Sequence, residues 1–256
     1  MVLPVTLITG ASSGLGYNLT RLLSSENHLV LAISRTVTKV KEFQNNKNIL
    51  CHSLDLTKEA DILEIPNLLG IKYKVKHLIN CSATLNVKDK LVDYSYEELD
   101  YFFKLNTIAP VFIISSLVKN NCFLDRSRIL NISSKAAHVP IRKLYGYCLT
   151  KSALYMSYLC FKKELKKKGI FIGSMMPGVM GTNMTAEMKE KGATIEEKEI
   201  LKPETVANFI KYLLSNEVSD EKFSEEEWDV YNRSHNSNWN LKKEYIPLDG
   251  PSLNFK

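Results

Sequence analysis

Tyr147 and Lys151 are four positions apart, so on a helix they share one face. A phenol ionises near pH 10 and exchanges protons poorly at neutral pH unless a neighbouring cation favours the phenolate. Lys151 is expected to lower the Tyr147 pKa, which equips the pair to supply or remove a proton as a carbonyl and its alcohol interconvert. Among 12 tyrosines and many lysines, about one Tyr-x-x-x-Lys arises by chance, so the context decides. Ser134 precedes Tyr147 by 13 residues (147 − 134), at the end of an apolar run, and its hydroxyl is suited to polarise the same carbonyl oxygen. Ser133 is the adjacent alternative, better suited to bonding a loop amide.

Such chemistry needs a hydride carrier, and the N-terminal region offers a place for one. The string Gly10-Ala11-Ser12-Ser13-Gly14-Leu15-Gly16 follows a β-branched run and opens a helix-compatible stretch from Leu15 to Ser25. Glycines allow positive φ and close backbone approach, and free amides at a helix N-terminus hold a pyrophosphate. Gly10, Ser12, Ser13, Gly14, Leu15 and Gly16 are therefore expected to bind a dinucleotide. An acid at the end of the second strand would bind a ribose 2′-hydroxyl, but Ser34 and Arg35 stand there. The Arg35 fork suits a 2′-phosphate, helped by Ser34 and Lys39, which favours NADP(H) over NAD(H).

The elements that must position these groups are legible as apolar runs: Val5 to Thr9, His28 to Ser34, Ile49 to Asp55, His77 to Asn80, Arg128 to Ser133 and Ile170 to Met176. Helical patterns fill the gaps. Strands alternating with helices imply parallel strands covered on both faces, hence a doubly wound parallel α/β sheet in a single domain, residues 1–256. Ligands of such sheets bind beyond the carboxyl ends of the strands. The Met- and Glu-rich stretch Met184 to Lys202 is expected to be a mobile lid inserted before a helix at Pro203 to Ser215. Asn232 to Lys256 is expected to be a loosely packed tail.

Composition narrows the function classes. The chain of 256 residues is 45% hydrophobic and carries a net charge of +6. The lysines from Lys162 to Lys168 trail a helix, where cations complement its dipole, and no aromatic-basic module accompanies them, so no nucleic-acid partner is expected. No apolar run is judged to reach membrane-spanning length, and the start has no charged leader, so a cytoplasmic protein without a membrane partner is expected. The five cysteines lack metal-ligand spacing and read as reduced core residues; no metal is expected.

Taken together, the motifs resemble the short-chain dehydrogenase/reductase family from Val5 to about Ser215. They run in the family's order: Thr9-Gly10-x-x-x-Gly14-x-Gly16, Asp55-Leu56, Asn106, Asn131-Ile132-Ser133-Ser134, Tyr147-x-x-x-Lys151 and Pro177-Gly178-x-Met180-x-Thr182. The resemblance implies a Rossmann-type fold, Tyr147 as acid/base, Lys151 as its activator and a ribose ligand, and Ser134 as substrate-orienting group. It also implies that Asn106 holds a water relaying protons to Lys151. Asp55 would contact adenine, with Leu56 beside it; Met180 would meet the carboxamide and Thr182 the region near the pyrophosphate, next to the Pro177-Gly178 turn.

Two departures stand out. The family's Asn-Asn-Ala-Gly is Asn80-Cys81-Ser82-Ala83 here, so Ala83 adds a methyl where the backbone passes the adenine ribose, with Asn80, Cys81 and Ser82 still expected at the cofactor. The usual ending is replaced by Trp228-Asp229-Val230-Tyr231, which resembles sepiapterin reductase-like and benzil reductase-like members. That change weighs against a tetramer and towards a homodimer through the helices around Tyr94 to Leu117 and Tyr147 to Leu165, a tetramer staying the alternative. The expected partner is a small carbonyl or alcohol, mostly apolar, walled by His138 to Tyr145, Leu85 to Leu91 and the lid. His138 reads as a substrate-loop or merely exposed residue. The rival reading is a non-catalytic NADP sensor or scaffold of the same fold.

Overall fold

The structure, a computed structural model, describes residues 2–225, 227–230 and 254–255. All six apolar runs become strands: β1 (Leu3–Thr9), β2 (Val30–Ser34), β3 (Ile49–Ser53), β4 (Tyr73–Asn80), β5 (Phe123–Ile132) and β6 (Ile170–Pro177). Three further short strands are β7 (Ala193–Thr194), β8 (Glu227–Val230) and β9 (Asn254–Phe255). The helices are α1 (Gly14–Ser25), α2 (Lys41–Gln44), α3 (Glu59–Leu69), α4 (Tyr96–Phe103), α5 (Ala109–Lys119), α6 (Tyr145–Lys166), α7 (Asn183–Glu190), α8 (Pro203–Leu214) and α9 (Asp220–Glu225).

Seven strands form one parallel sheet in the order β3-β2-β1-β4-β5-β6-β8, and β7 pairs antiparallel with β9 outside it. This is the doubly wound, Rossmann-type arrangement expected from the alternating pattern. Its strand order reverses between β1 and β4, which opens a crevice at their carboxyl ends. Alternate strand residues feed two cores, as period-two side chains must. Ile8, Ala32, Ile79 and Leu130 pack towards α1 and α8, while Leu7, Ile33, Leu78 and Ile129 pack towards α3, α5 and α6.

β4 and β5 begin earlier than their apolar runs suggest, because their first residues include Lys74, Lys76, Asp125 and Arg126. Backbone irregularities between Val75 and His77 absorb these polar positions, and Lys76 Nζ donates to the Asp125 and Arg126 carbonyls. β2 starts at Val30 rather than His28, since His28 still closes the turn after α1 by donating its N–H to the Leu23 carbonyl.

The sequence reading missed one membrane-length candidate. α4, a π-helical turn over Lys104–Ile108 and α5 are continuous, and the resulting 24-residue helix, Tyr96–Lys119, is long and apolar enough to span a bilayer. Its apolarity serves the interior: Phe102, Ala109, Ile113, Ile114 and Leu117 are buried against the sheet and neighbouring helices.

A polar knot ties the end of the chain's core to β5. The Arg128 guanidinium is 6% exposed and donates to Asp220 Oδ1 (2.8 Å) and to the carbonyls of Leu213, Ser215 and Val218 (2.6–2.9 Å). Asp220 also pairs with the exposed Arg126. Nearby, Trp228 of β8 is fully buried and donates its indole N–H to the Phe223 carbonyl. Tyr231 and most of the expected tail lie outside the described residues. The expected lid opens with α7, whose Thr185 and Met188 are buried, and runs into the β7 strand.

Candidate active site

The glycine string leaves β1 and enters α1 through two turns that need glycine. Gly10 (φ +68°) and Gly14 (φ +54°) occupy the left-handed region. At Gly16 a Cβ would lie 2.4 Å from the Gly10 carbonyl oxygen, so only glycine lets α1 close on the loop. The next loop is pinned alongside, because Thr9 Oγ1 accepts the N–H groups of Cys81 and Ser82. Ser13 begins α1 without a side-chain cap, leaving the first-turn amides for a ligand.

These groups line a cleft of about 1160 Å³ together with Ser34, Arg35, Asp55, Leu56, Ala83, Ser134, Tyr147, Lys151, Pro177, Gly178, Met180 and Thr182. A dinucleotide fits this cradle: a Cβ on Gly14 would lie 3.2 Å from Thr182 Cγ2, both on the cleft wall, and Ser133, a wall residue, has its hydroxyl buried and without a hydrogen-bond partner among the described residues. At its far end Arg35 Nη1 donates to Tyr101 Oη (3.3 Å), and against the upward push of burial, hydrogen bonds from Thr57 and then the Arg35 guanidinium hold the Asp55 carboxyl below its ordinary pKa. Ser34 Oγ accepts the Thr36 N–H. Lys39 is not on the wall.

At the other end α6 presents Tyr147 and Lys151 on one face, as their spacing requires, with Lys151 Nζ 5.6 Å from the Tyr147 ring centroid. Lys151 is 2% exposed and donates to the Ile132 carbonyl (2.8 Å), which leaves further ammonium hydrogens for a ligand. Ser134 Oγ accepts the Ala136 N–H, and its interaction with Tyr147 favours the phenolate. The expected drop in the Tyr147 pKa is absent. Burial pushes the phenol up to about 12 against the Ser134 interaction, and burial pulls Lys151 down to about 8.

That depressed lysine has a consequence for stability. Between pH 8 and 10 the unfolded chain keeps a proton that folded Lys151 has lost, so stability rises with pH across this window. Below it both states are protonated and the burial cost is fully present. Without cofactor, the wild type is expected to gain about 2 kcal/mol on Lys151→Met between these pH values. Parallel urea melts check this, and a pH-independent difference between the two proteins rules it out.

Three expected site residues stand behind or beside the cleft wall. Asn80 is 4% exposed and donates to Asn131 Oδ1 (2.8 Å), joining β4 to β5. Asn106 sits in the π-helical turn with its side chain fully engaged: Oδ1 accepts the Thr84 N–H, and Nδ2 donates to the Thr84 carbonyl and to Thr150 Oγ1. It braces α6 beside Lys151, and its amide has no hydrogen left for a relay water. His138 packs edge-on against Tyr155 at 4.2 Å, away from the cleft.

Of the expected pocket walls, Leu85, Ile141, Leu144, Met184, Met188, Thr194 and Glu199 do line the cleft, whereas Tyr145 packs against Tyr94. The sequence reading missed Tyr101, Thr84 and Leu105. Only the long α4–α5 helix brings the first and last of these to the cofactor end, and no local motif marks them.

Known proteins resemble this chain in sequence and in fold. The sequence pattern of the family described as short chain dehydrogenase matches residues 4–193. A benzil reductase ((S)-benzoin forming) of Bacillus cereus is 32% identical over 237 residues, covering 82% of this chain and 94% of the relative. Its namesake from Bacillus subtilis is 30% identical over 192 residues, covering 72% and 77%. Among solved structures, an angucycline C-6 ketoreductase with bound NADP gives a TM-score of 0.75 at 22% identity, covering 88% of this chain and 93% of its own. A 4-hydroxyisoleucine dehydrogenase complexed with NADH gives 0.78 at 19% identity, covering 94% and 100%. These two show the fold alone. The chain belongs to the short-chain dehydrogenase/reductase family, oxidoreductases that use a nicotinamide cofactor.

Proposed function

We propose that the protein is an NADPH-dependent carbonyl reductase with Tyr147 as proton donor. The observation that carries this reading is that Tyr147, Ser134 and Lys151 line the same cleft as the glycine loop. A bound nicotinamide supplies the hydride. Ser134 and Tyr147 then hold the carbonyl oxygen between two hydroxyls, and the Tyr147 phenol gives its proton to that oxygen. Lys151 keeps its ammonium beside the phenol, where it stabilises the phenolate left behind, and has hydrogens available for ribose hydroxyls. Gly10 to Gly16 and the first turn of α1 take the pyrophosphate.

Arg35 supports NADPH over NADH, since no acid at its position repels a 2′-phosphate. Arg35→Glu is expected to raise KM for NADPH at least about tenfold, the loss of a charge-assisted pair and the gain of a repulsion, with KM for NADH little changed. Steady-state kinetics with both cofactors checks this; equal effects on the two defeat the assignment.

Leu85, Ile141, Leu144, Met184 and Met188 favour an apolar carbonyl compound. Because two relatives are named benzil reductase, aromatic 1,2-diketones are the first substrates to test. Following loss of NADPH absorbance with benzil, aldehydes and keto sugars tests the function. Binding of NADPH with no oxidation by any of these carbonyls would instead identify a sensor or scaffold.

Exposed Ile108, Leu149, Met156 and Leu159 on the outer faces of the helices around α5 and α6 support a homodimer through these helices, which sedimentation equilibrium checks. Five free thiols and a reductive cofactor suit the cytoplasm; fractionation of the cells of origin tests that placement.

A further inference from the structure

The entrance to α6 is held from outside the helix. Its first turn contains Tyr145, Gly146 and Tyr147, and the residue before it, Leu144, makes no side-chain cap. First-turn N–H groups have no partner within a helix and are ordinarily met by a Ser, Thr, Asp or Asn at that position. Here Tyr94 Oη, from the segment between β4 and α4, accepts the Gly146 N–H at 3.2 Å.

The fit around this contact is tight. A Cβ on Gly146 would lie 3.0 Å from both Tyr94 Cε1 and Phe102 Cδ2, so the glycine is what admits the phenol ring. Tyr94 is wedged edge-on against Phe102 and Tyr145, with Lys88 Nζ 5.9 Å from its ring centroid. The same segment is stitched to the approach of α6 twice more. Lys88 donates its N–H to the Lys143 carbonyl at 2.9 Å, and Lys143 Nζ pairs with Asp89 at 2.6 Å. Lys143 has a left-handed backbone (φ +64°), which a lysine holds only where its surroundings impose it.

We propose that Tyr94 is a positioning residue for Tyr147: its hydroxyl caps the first turn of α6 and so holds the Tyr147 phenol at the reacting centre. The inference rests on the reading of Tyr147 as proton donor. Gly146 immediately precedes Tyr147, so any drift of this turn moves the phenol. Lys151 lies one turn further in and is anchored separately by the Ile132 carbonyl. Loss of the cap therefore misplaces the phenol relative to Ser134 while the cofactor contacts of Lys151 persist, and the effect falls on kcat rather than on KM for NADPH.

Tyr94→Phe keeps the ring and removes the acceptor. Turnover per NADPH-binding site, counted by fluorescence titration, is expected to fall about fivefold, the rate equivalent of one helix cap, at an unchanged KM for NADPH. Gly146→Ala, whose methyl displaces the ring, is expected to act on kcat in the same way and serves if Tyr94→Phe does not fold. The double variant should be no slower than the slower single one, because both remove the same contact. Wild-type turnover per site in both single variants, or a loss accounted for wholly by fewer NADPH sites, overturns the proposal. Tyr147→Phe is measured alongside: if it is inactive while Tyr94→Phe turns over normally, only the positioning role falls, whereas turnover persisting in Tyr147→Phe removes the proton-donor reading as well.

Discussion

Replacing Tyr147 by phenylalanine is expected to lower kcat for carbonyl reduction by roughly 10²- to 10⁴-fold, the usual worth of a positioned general acid. NADPH binding should survive. The ring packs in a cluster with Leu85, Ala136, Leu144 and Met188, all of which phenylalanine can still touch, and the glycine loop lies at the other end of the cleft. What disappears is the hydroxyl that interacts with Ser134 and stands beside the Lys151 ammonium. Turnover and NADPH fluorescence titration on one preparation separate the two effects. A kcat within about threefold of wild type, well short of the general-acid range, rejects Tyr147 as the donor.

The largest expected loss of stability lies away from the chemistry. Asp220→Ala leaves the Arg128 guanidinium buried with only its three carbonyl contacts and, among the described residues, no buried counter-charge, since Asp220 Oδ1 meets both Nε and Nη2 at 2.8 Å. Removing one partner of a buried pair costs about 3–5 kcal/mol. For a chain of this size that corresponds to a fall in Tm on the order of 10 °C. The exposed Arg126 is the lesser partner, and Arg126→Ala should cost about 1 kcal/mol or less. Replacing both members together, as in Arg128→Met with Asp220→Leu, should recover much of the loss, because no buried charge is then left alone. Thermal and urea melts decide the matter. An Asp220→Ala protein within about 1 kcal/mol of wild type shows that water reaches the guanidinium.

Local periodicity explains which parts of this molecule were legible in its sequence. The turn from β1 into α1 was readable because its glycines are demanded within seven residues, and Tyr147 with Lys151 because one helical turn sets their relation. Strand starts rich in lysine were not, since packing at Val75 and His77 overrides what Lys74 and Lys76 suggest. Contacts between distant segments leave no local trace. Arg35 and Tyr101 are 66 positions apart, and Arg128 and Asp220 are 92 apart. The direction of the Tyr147 pKa was misjudged for a related reason: the lysine is encoded four residues away, but the burial that raises the phenol against the Ser134 hydrogen bond comes from the whole cluster around the ring. Asn106 was expected, by resemblance, to hold a relay water, whereas its partners Thr84 and Thr150 emerge only once the π-helical turn brings three segments together.

β5 carries both the Arg128 knot and, just past its end, Ser133 and Ser134. Five residue steps lead from Arg128 to Ser133, about 16 Å at the usual rise. At that spacing the cost of altering one end adds to that of altering the other without amplification. Directed evolution can therefore rebuild the cleft walls, at Leu85, Ile141 or Met188, while the clamp at the opposite end preserves the reserve of thermal tolerance that such trials consume.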